Sequence, residues 1–156
     1  MVRWYGGFDS YIVAQEFEES IFAPSMGRKI EREEEMDISH LPYMTWLEWM
    51  NNLSRFKYAV PLMPTHASGT FALNCAYHGI PCIGYEGLDT QQQCHPQLTI
   101  KMNDLRHARE LANKLKTDVG WYELQSETAK RNFNGFFGEE EYIYKMNRLL
   151  KEVIDG

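Results

Sequence analysis

The chain has 156 residues, 44% hydrophobic and 24% charged, which suits one globular domain able to bury a core without disulfide or metal staples. With 16 Lys and Arg against 22 Asp and Glu, the net charge of -6 excludes a broad electrostatic footprint for nucleic acid, so an anionic ligand has to be held by local groups. Cys75, Cys82 and Cys94 are odd in number and lack a C-x-x-C spacing, which argues against a disulfide framework or zinc ribbon and for a reducing compartment.

Residues 1 to 13, MVRWYGGFDSYIV, hold one basic residue and an apolar run broken by Gly, Asp and Ser, unlike a signal peptide. No run has the length of a membrane span, so a soluble, cytoplasmic chain is expected. Gly6 and Gly7 form a turn ahead of SYIVAQEF at 10–17, whose β-favouring residues predict a strand. Residues 24–40, with Glu33, Glu34 and Glu35, read as a solvated loop or short helix face. An amphipathic helix follows at 44–56, with Met44, Leu47, Met50 and Leu53 three apart and Trp46 and Trp49 beside them, an aromatic stripe aimed at the core. YAVPLM at 58–63 suits a buried strand with Pro61 near its end. A helix spans 68–78, with Ser68 near its N-cap and Gly79 as its stop. Strands at 80–85 and 97–102 come next, the second leading to Asn103 or Asp104 as the cap of DLRHARELANKLK. Two more helices are expected at about 118–134 and 139–154. Short strands alternating with helices predict an α/β domain with a parallel sheet and a helical C-terminal tail.

The most informative stretch is PTHASGTFALNCAYHGIPCIG, residues 64–84. Ligands collect at the carboxyl ends of parallel strands, where the following helices begin, and the turn at 64–70 lies at such a place. The first N–H groups of a helix lack intrahelical partners and carry the positive end of its dipole, which suits a phosphate. Gly69 admits a ligand close to the backbone, and Ser68 and Thr70 add hydroxyl donors. The same residues also make an ordinary helix cap.

LPYMTWLEWMNNLSRFKYAVPLMPTHASGTFALNCAYHGIPCIGYEGLDTQQQCHPQLTI, followed by NDLRHARELANKL, resembles the C-terminal, donor-nucleotide-binding domain of group 1-like GT-B glycosyltransferases. AYHGIPCIG is similar to that family's A-x-x-G-x-P-V-I-G element. ASGT is similar to the phosphate turn of lipid A disaccharide synthase and of UDP-sugar 2-epimerases. The likeness covers residues 36–156 of a single domain and leaves 1–35 unmatched. It implies a Rossmann-like open sheet, mostly parallel, with helices on both faces. It also implies transfer of a sugar from a nucleotide diphosphate donor, with UDP favoured over GDP, no cofactor and no metal.

Residue by residue, the resemblance assigns the diphosphate to Ser68, Gly69 and Thr70. Many retaining members carry two glutamates eight positions apart. Counted back from Gly79, those places hold His66 and Asn74. His66 then touches donor phosphate or sugar and is the catalytic candidate, though not as a base, the alternative being an exposed loop histidine, and the Asn74 amide replaces a carboxylate on the ribose. Leu41 and Tyr43, in HLPYM, stand where the family reads the base, the alternative being a loop with Tyr43 packed inward. Arg28 and Lys29 resemble the basic pair aimed at the diphosphate, although their spacing is not the family's usual one. Glu86, Asp89 and Thr90 face the same crevice, near the donor sugar.

The adjacent Cys94 and His95 make no metal site by themselves, HASGT is not a G-x-S-x-G elbow, and no Cys–His pair reads as a protease. GT-B enzymes work in a cleft between two domains, so an acceptor-binding domain is expected from elsewhere and this chain alone is expected to be inactive. A UDP-sugar 2-epimerase-like isomerase and a non-catalytic nucleotide-sugar-binding module are the alternatives.

Overall fold

The computed structural model describes residues 5–24, 33–63 and 69–155. The chain is mixed α/β, with about two thirds of the described residues helical and two small parallel sheets.

The N-terminal segment opens with a helix, α1 (Tyr5–Ala14), continued by a 3-10 turn at Gln15–Phe17. This overturns the strand expected at 10–17 and the glycine turn at Gly6 and Gly7, both of which lie in α1. The β-branched run Ile12–Val13 is too short to outweigh packing. At helical spacing Val13 and Phe17 fall on one face, and both are buried in the main core.

Of the loop or short helix face predicted at 24–40, the described part holds a short 3-10 helix as expected but also, unexpectedly, strands at both ends. β1 (Ile21–Pro24) and β2 (Ile38–Leu41) pair in parallel from Ile21 opposite Ile38 to Pro24 opposite Leu41. A single 3-10 turn at Glu33–Glu35 precedes β2. α2 (Trp46–Leu53) starts at a capping box, in which Thr45 N–H donates to Glu48 Oε2 at 2.8 Å and Glu48 N–H to Thr45 Oγ1 at 3.4 Å. The stripe expected to face the core is only partly buried. Leu53 is enclosed and Trp49 packs on the core beside it, whereas Trp46 and Leu47 are exposed.

The rest of the chain follows the predicted alternation with shorter strands and one extra helix: α3 (Thr70–His78), β3 (Gly84–Tyr85), α4 (Asp89–Cys94), β4 (Thr99–Ile100), α5 (Leu105–Thr117), α6 (Val119–Phe137) and α7 (Glu139–Asp155). β3 pairs in parallel with β4, and Ala59 forms a parallel bridge to Cys82 just ahead of β3. Ala59 N–H donates to Pro81 O at 3.0 Å and Ile83 N–H to Ala59 O at 2.9 Å, while Glu86 N–H donates to Ile100 O at 2.8 Å. Alternate residues of 81–86 therefore bond to opposite neighbours, which puts this segment between residue 59 and β4. Proline shortens the ladders. Pro61 and Pro81 have no N–H to donate, and Pro96 opens a 3-10 turn at Pro96–Leu98.

Helix ends behave as the sequence suggests. Gly79 stops α3 at φ 71°, Asp104 accepts from His107 N–H at 3.1 Å at the start of α5, and Asp118 accepts from Trp121 N–H at 2.9 Å at the start of α6. The main core joins α1, the strand segments and α5, with Leu62, Ile83, Leu98 and Leu115 fully enclosed.

Candidate functional site

The site grows from the turn before α3. Gly69 caps that helix at φ 68° and is buried. A Cβ at this position would lie 2.1 Å from Thr90 Oγ1, and the Thr90 hydroxyl donates to Gly69 O at 3.0 Å. Only glycine meets both the left-handed backbone and the close approach. The bond ties the loop after residue 59 to the first turn of α4. Two loops leaving the carboxyl ends of neighbouring parallel segments are thus held together, with Thr70, Glu86 and Asp89 exposed around them. Gly87 N–H donates to Gln92 Oε1 at 3.1 Å, which folds the 86–88 turn back onto α4. His66, Ser68, Arg28 and Lys29 lie outside the described residues.

Asn74 is placed differently from its sequence-based assignment. It is buried, and with its amide oriented so that both ends are satisfied, Nδ2 donates to Thr70 O at 3.0 Å and Oδ1 accepts from Trp49 Nε1 at 3.1 Å. Both ends of the amide are engaged in fastening α3 to α2. Leu41 ends β2, half-buried and in register with Pro24, rather than lying in a loop. Tyr43 is 88% exposed, so the alternative of an inward-packed ring does not hold. With Trp46 and Leu47 it forms an exposed apolar edge at the start of α2.

Two residues without a signal in the sequence close the same end of the strands. Asp9 accepts from the Tyr85 hydroxyl at 3.1 Å, and Ser10 Oγ accepts from Leu62 N–H at 2.9 Å. Burial, with the Asp9 charge and hydrogen bond adding to it, pushes the Tyr85 phenol up to about 12, against a smaller opposing bond from the Asn103 backbone. Nothing local marks Asp9 and Ser10, because both lie at the edge of a run that reads as a strand.

Beneath the turn lies a buried polar layer. His95 is 1% exposed, its Nε2 donates to Ala72 O at 3.0 Å, and its Nδ1 has no partner among the described residues. Burial lowers its pKa to about 4, the Ala72 bond opposing weakly, so the ring is neutral at pH 7. Gln91 donates from Nε2 to Cys82 O at 2.9 Å and fills the space that the missing Gly84 Cβ leaves. Burial, and then Cys75, push the Cys82 thiol well above its ordinary range, while burial raises Cys94 to about 11. These thiols are poor nucleophiles.

An open groove of about 470 Å³ between α1 and α5 contains none of these residues, and its two arginines pair with acids of the same groove, Arg106 with Glu110 at 3.1 Å and Arg109 with Glu16. Among the described residues no three His, Cys, Asp or Glu are grouped to hold a metal, and no helix is long and apolar enough to cross a membrane. No family model, no curated protein and no solved structure matches the chain.

Proposed function

We propose that this chain is the donor-nucleotide half of a glycosyltransferase, a Rossmann-like domain that binds a nucleotide diphosphate sugar, UDP-sugar before GDP-sugar, at the α3 turn. The observation that carries the reading is the Gly69–Thr90 clasp. It fixes Gly69 ahead of the exposed Thr70 at the start of α3, beside Glu86 and the first residue of α4, Asp89, at the carboxyl ends of parallel segments. In this reading the first N–H groups of α3 stabilise the charge that develops on the leaving diphosphate. Ser68, His66, Arg28 and Lys29 are assigned to the diphosphate and sugar by the sequence resemblance alone. The exposed Tyr43 ring offers a stacking surface for the base, whose edge the backbone groups of Leu41 and Tyr43 read in this proposal. The acceptor and the other wall of the cleft come from a separate domain.

Asn74 drops out of the ligand shell in this reading, since its amide is committed to Trp49 and Thr70. That same observation favours a second reading, a nucleotide-sugar-binding module without catalysis. Amide NMR titration with UDP, GDP and uridine tests the first step. Saturable shifts at residues 69–72 and 86–90 are expected with the diphosphates, with weaker or no shifts there for uridine. Thr90→Val should weaken binding about fivefold, the worth of one hydrogen bond of about 1 kcal/mol. A folded chain whose amides ignore all three ligands would sink both readings, and binding without donor hydrolysis once an acceptor domain is supplied would select the module.

A further inference from the structure

α7 (Glu139–Asp155) presents an apolar stripe that nothing in the described structure covers. None of its described side chains is buried. Ile143, Met146, Leu149, Leu150, Val153 and Ile154 are between 39% and 80% exposed. With Tyr142 they fall within an arc of roughly 140° at 100° per residue. The opposite face is stitched by exposed ion pairs, Lys145 to Glu141 at 3.2 Å and Arg148 to Glu152 at 3.3 Å. So the polar face is built for water, and the apolar face is built for something else.

We propose that α7 is the dimerisation element of this chain and pairs with α7 of a second copy. Ile143, Met146, Leu150 and Val153 are spaced three, four and three apart, the a and d positions of two heptads, and this spacing fits another helix. The exposed area of the stripe is on the order of 800 Å², what one partner contributes to a standard interface. A two-fold dimer sets the same patch against itself, so the seam is apolar against apolar. Lys145, Arg148 and Lys151 lie off the seam, and an antiparallel pairing sets the two copies of Glu139, which falls on the seam face one turn before Ile143, at its opposite ends. A helix of this length is marginal alone in water, so pairing also holds it folded. Lipid is the poorer occupant. α7 carries five acidic and three basic side chains, and that balance is repelled by an anionic surface.

Sedimentation velocity of the full chain across the micromolar range tests this. A reversible monomer–dimer equilibrium is expected. Leu150→Glu combined with Val153→Glu should weaken it at least about a hundredfold by burying charge in the seam. Ile143→Glu probes the first heptad separately, and Arg148→Gln, on the far side of the helix, should change nothing. All four positions are exposed in the monomer, so thermal unfolding should show each variant folded. A chain that stays monomeric at every concentration overturns the proposal, as does a dimer that the seam variants leave intact. A monomer that floats with phosphatidylserine vesicles overturns it by giving the stripe to a membrane. None of these outcomes depends on nucleotide binding.

Discussion

α6 and α7 are consecutive helices joined at Gly138, and they meet opposite fates. α6 lies against α3, α4 and α5, buries Gln125 and Ala129, and half-buries Trp121 and Phe133. α7, with the cleaner apolar stripe, buries none of its described side chains. The difference is the opposing wall. α6 faces small residues, with Ala76 and Cys94 enclosed beside Ala129, and a Cβ at Gly79 would stand 2.4 Å from Lys130 Cε and 2.9 Å from Ser126 Oγ. The stripe of α7 meets no such wall among the described residues. Amphipathicity names the face a helix will bury, and shape complementarity decides whether it does.

The largest effect should come from the layer that α6 helps to close. Unfolded His95 takes up a proton near its ordinary 6.5 and folded His95 only near about 4, so between those values the unfolded chain binds more protons. Its contribution is complete above pH 6.5 and is lost as pH falls, by about 3 kcal/mol at pH 4. Urea midpoints from pH 7 to pH 4 measure this. His95→Gln, which keeps a donor for Ala72 O, should have a visibly flatter profile, and an unchanged profile would mean the ring titrates alike in the folded and unfolded chain.

Packing comes next. Ala129→Leu forces a larger side chain between Ala76 and Cys94 and should cost about 2 kcal/mol in chemical denaturation. A neutral result would show that the wall is looser than its enclosure implies. The smallest effect belongs to the bare helix. Val153→Ser, at 80% exposure, should move monomer stability by less than about 0.5 kcal/mol when measured at low concentration. A larger loss there would mean that α7 packs on its own domain.

How much is legible follows the range of each signal. The Gly79 stop, the Asp104 cap and the alternation from α3 to α7 read correctly, because each rests on residues within a few positions of one another. The turn at Gly69 is legible as a glycine in a special place, but its partner Thr90 stands 21 positions away. Asn74 reads as a ligand contact and is a brace, since nothing local reveals that Trp49 would reach it. α1 reads as a strand because its β-branched residues speak louder locally than a two-residue apolar face, Val13 and Phe17, whose core partners lie far along the chain. β1 and β2 are invisible for the same reason, as a parallel pair needs a crossover before either strand gains anything.

By itself, then, the amino-acid sequence determined an acidic α/β chain, the stop of α3, the cap of α5 and the place of its glycine turn, all of which depend on backbone conformation and capping within a turn or two. Tertiary structure alone decided that α1 would be a helix closing the strand ends through Asp9 and Ser10, that Asn74 and His95 would be enclosed, that Tyr43 would stay in water and that α7 would stand uncovered by the described residues. Burial and strand pairing depend on what arrives from far along the chain, and residue-by-residue preference carries no record of that arrival.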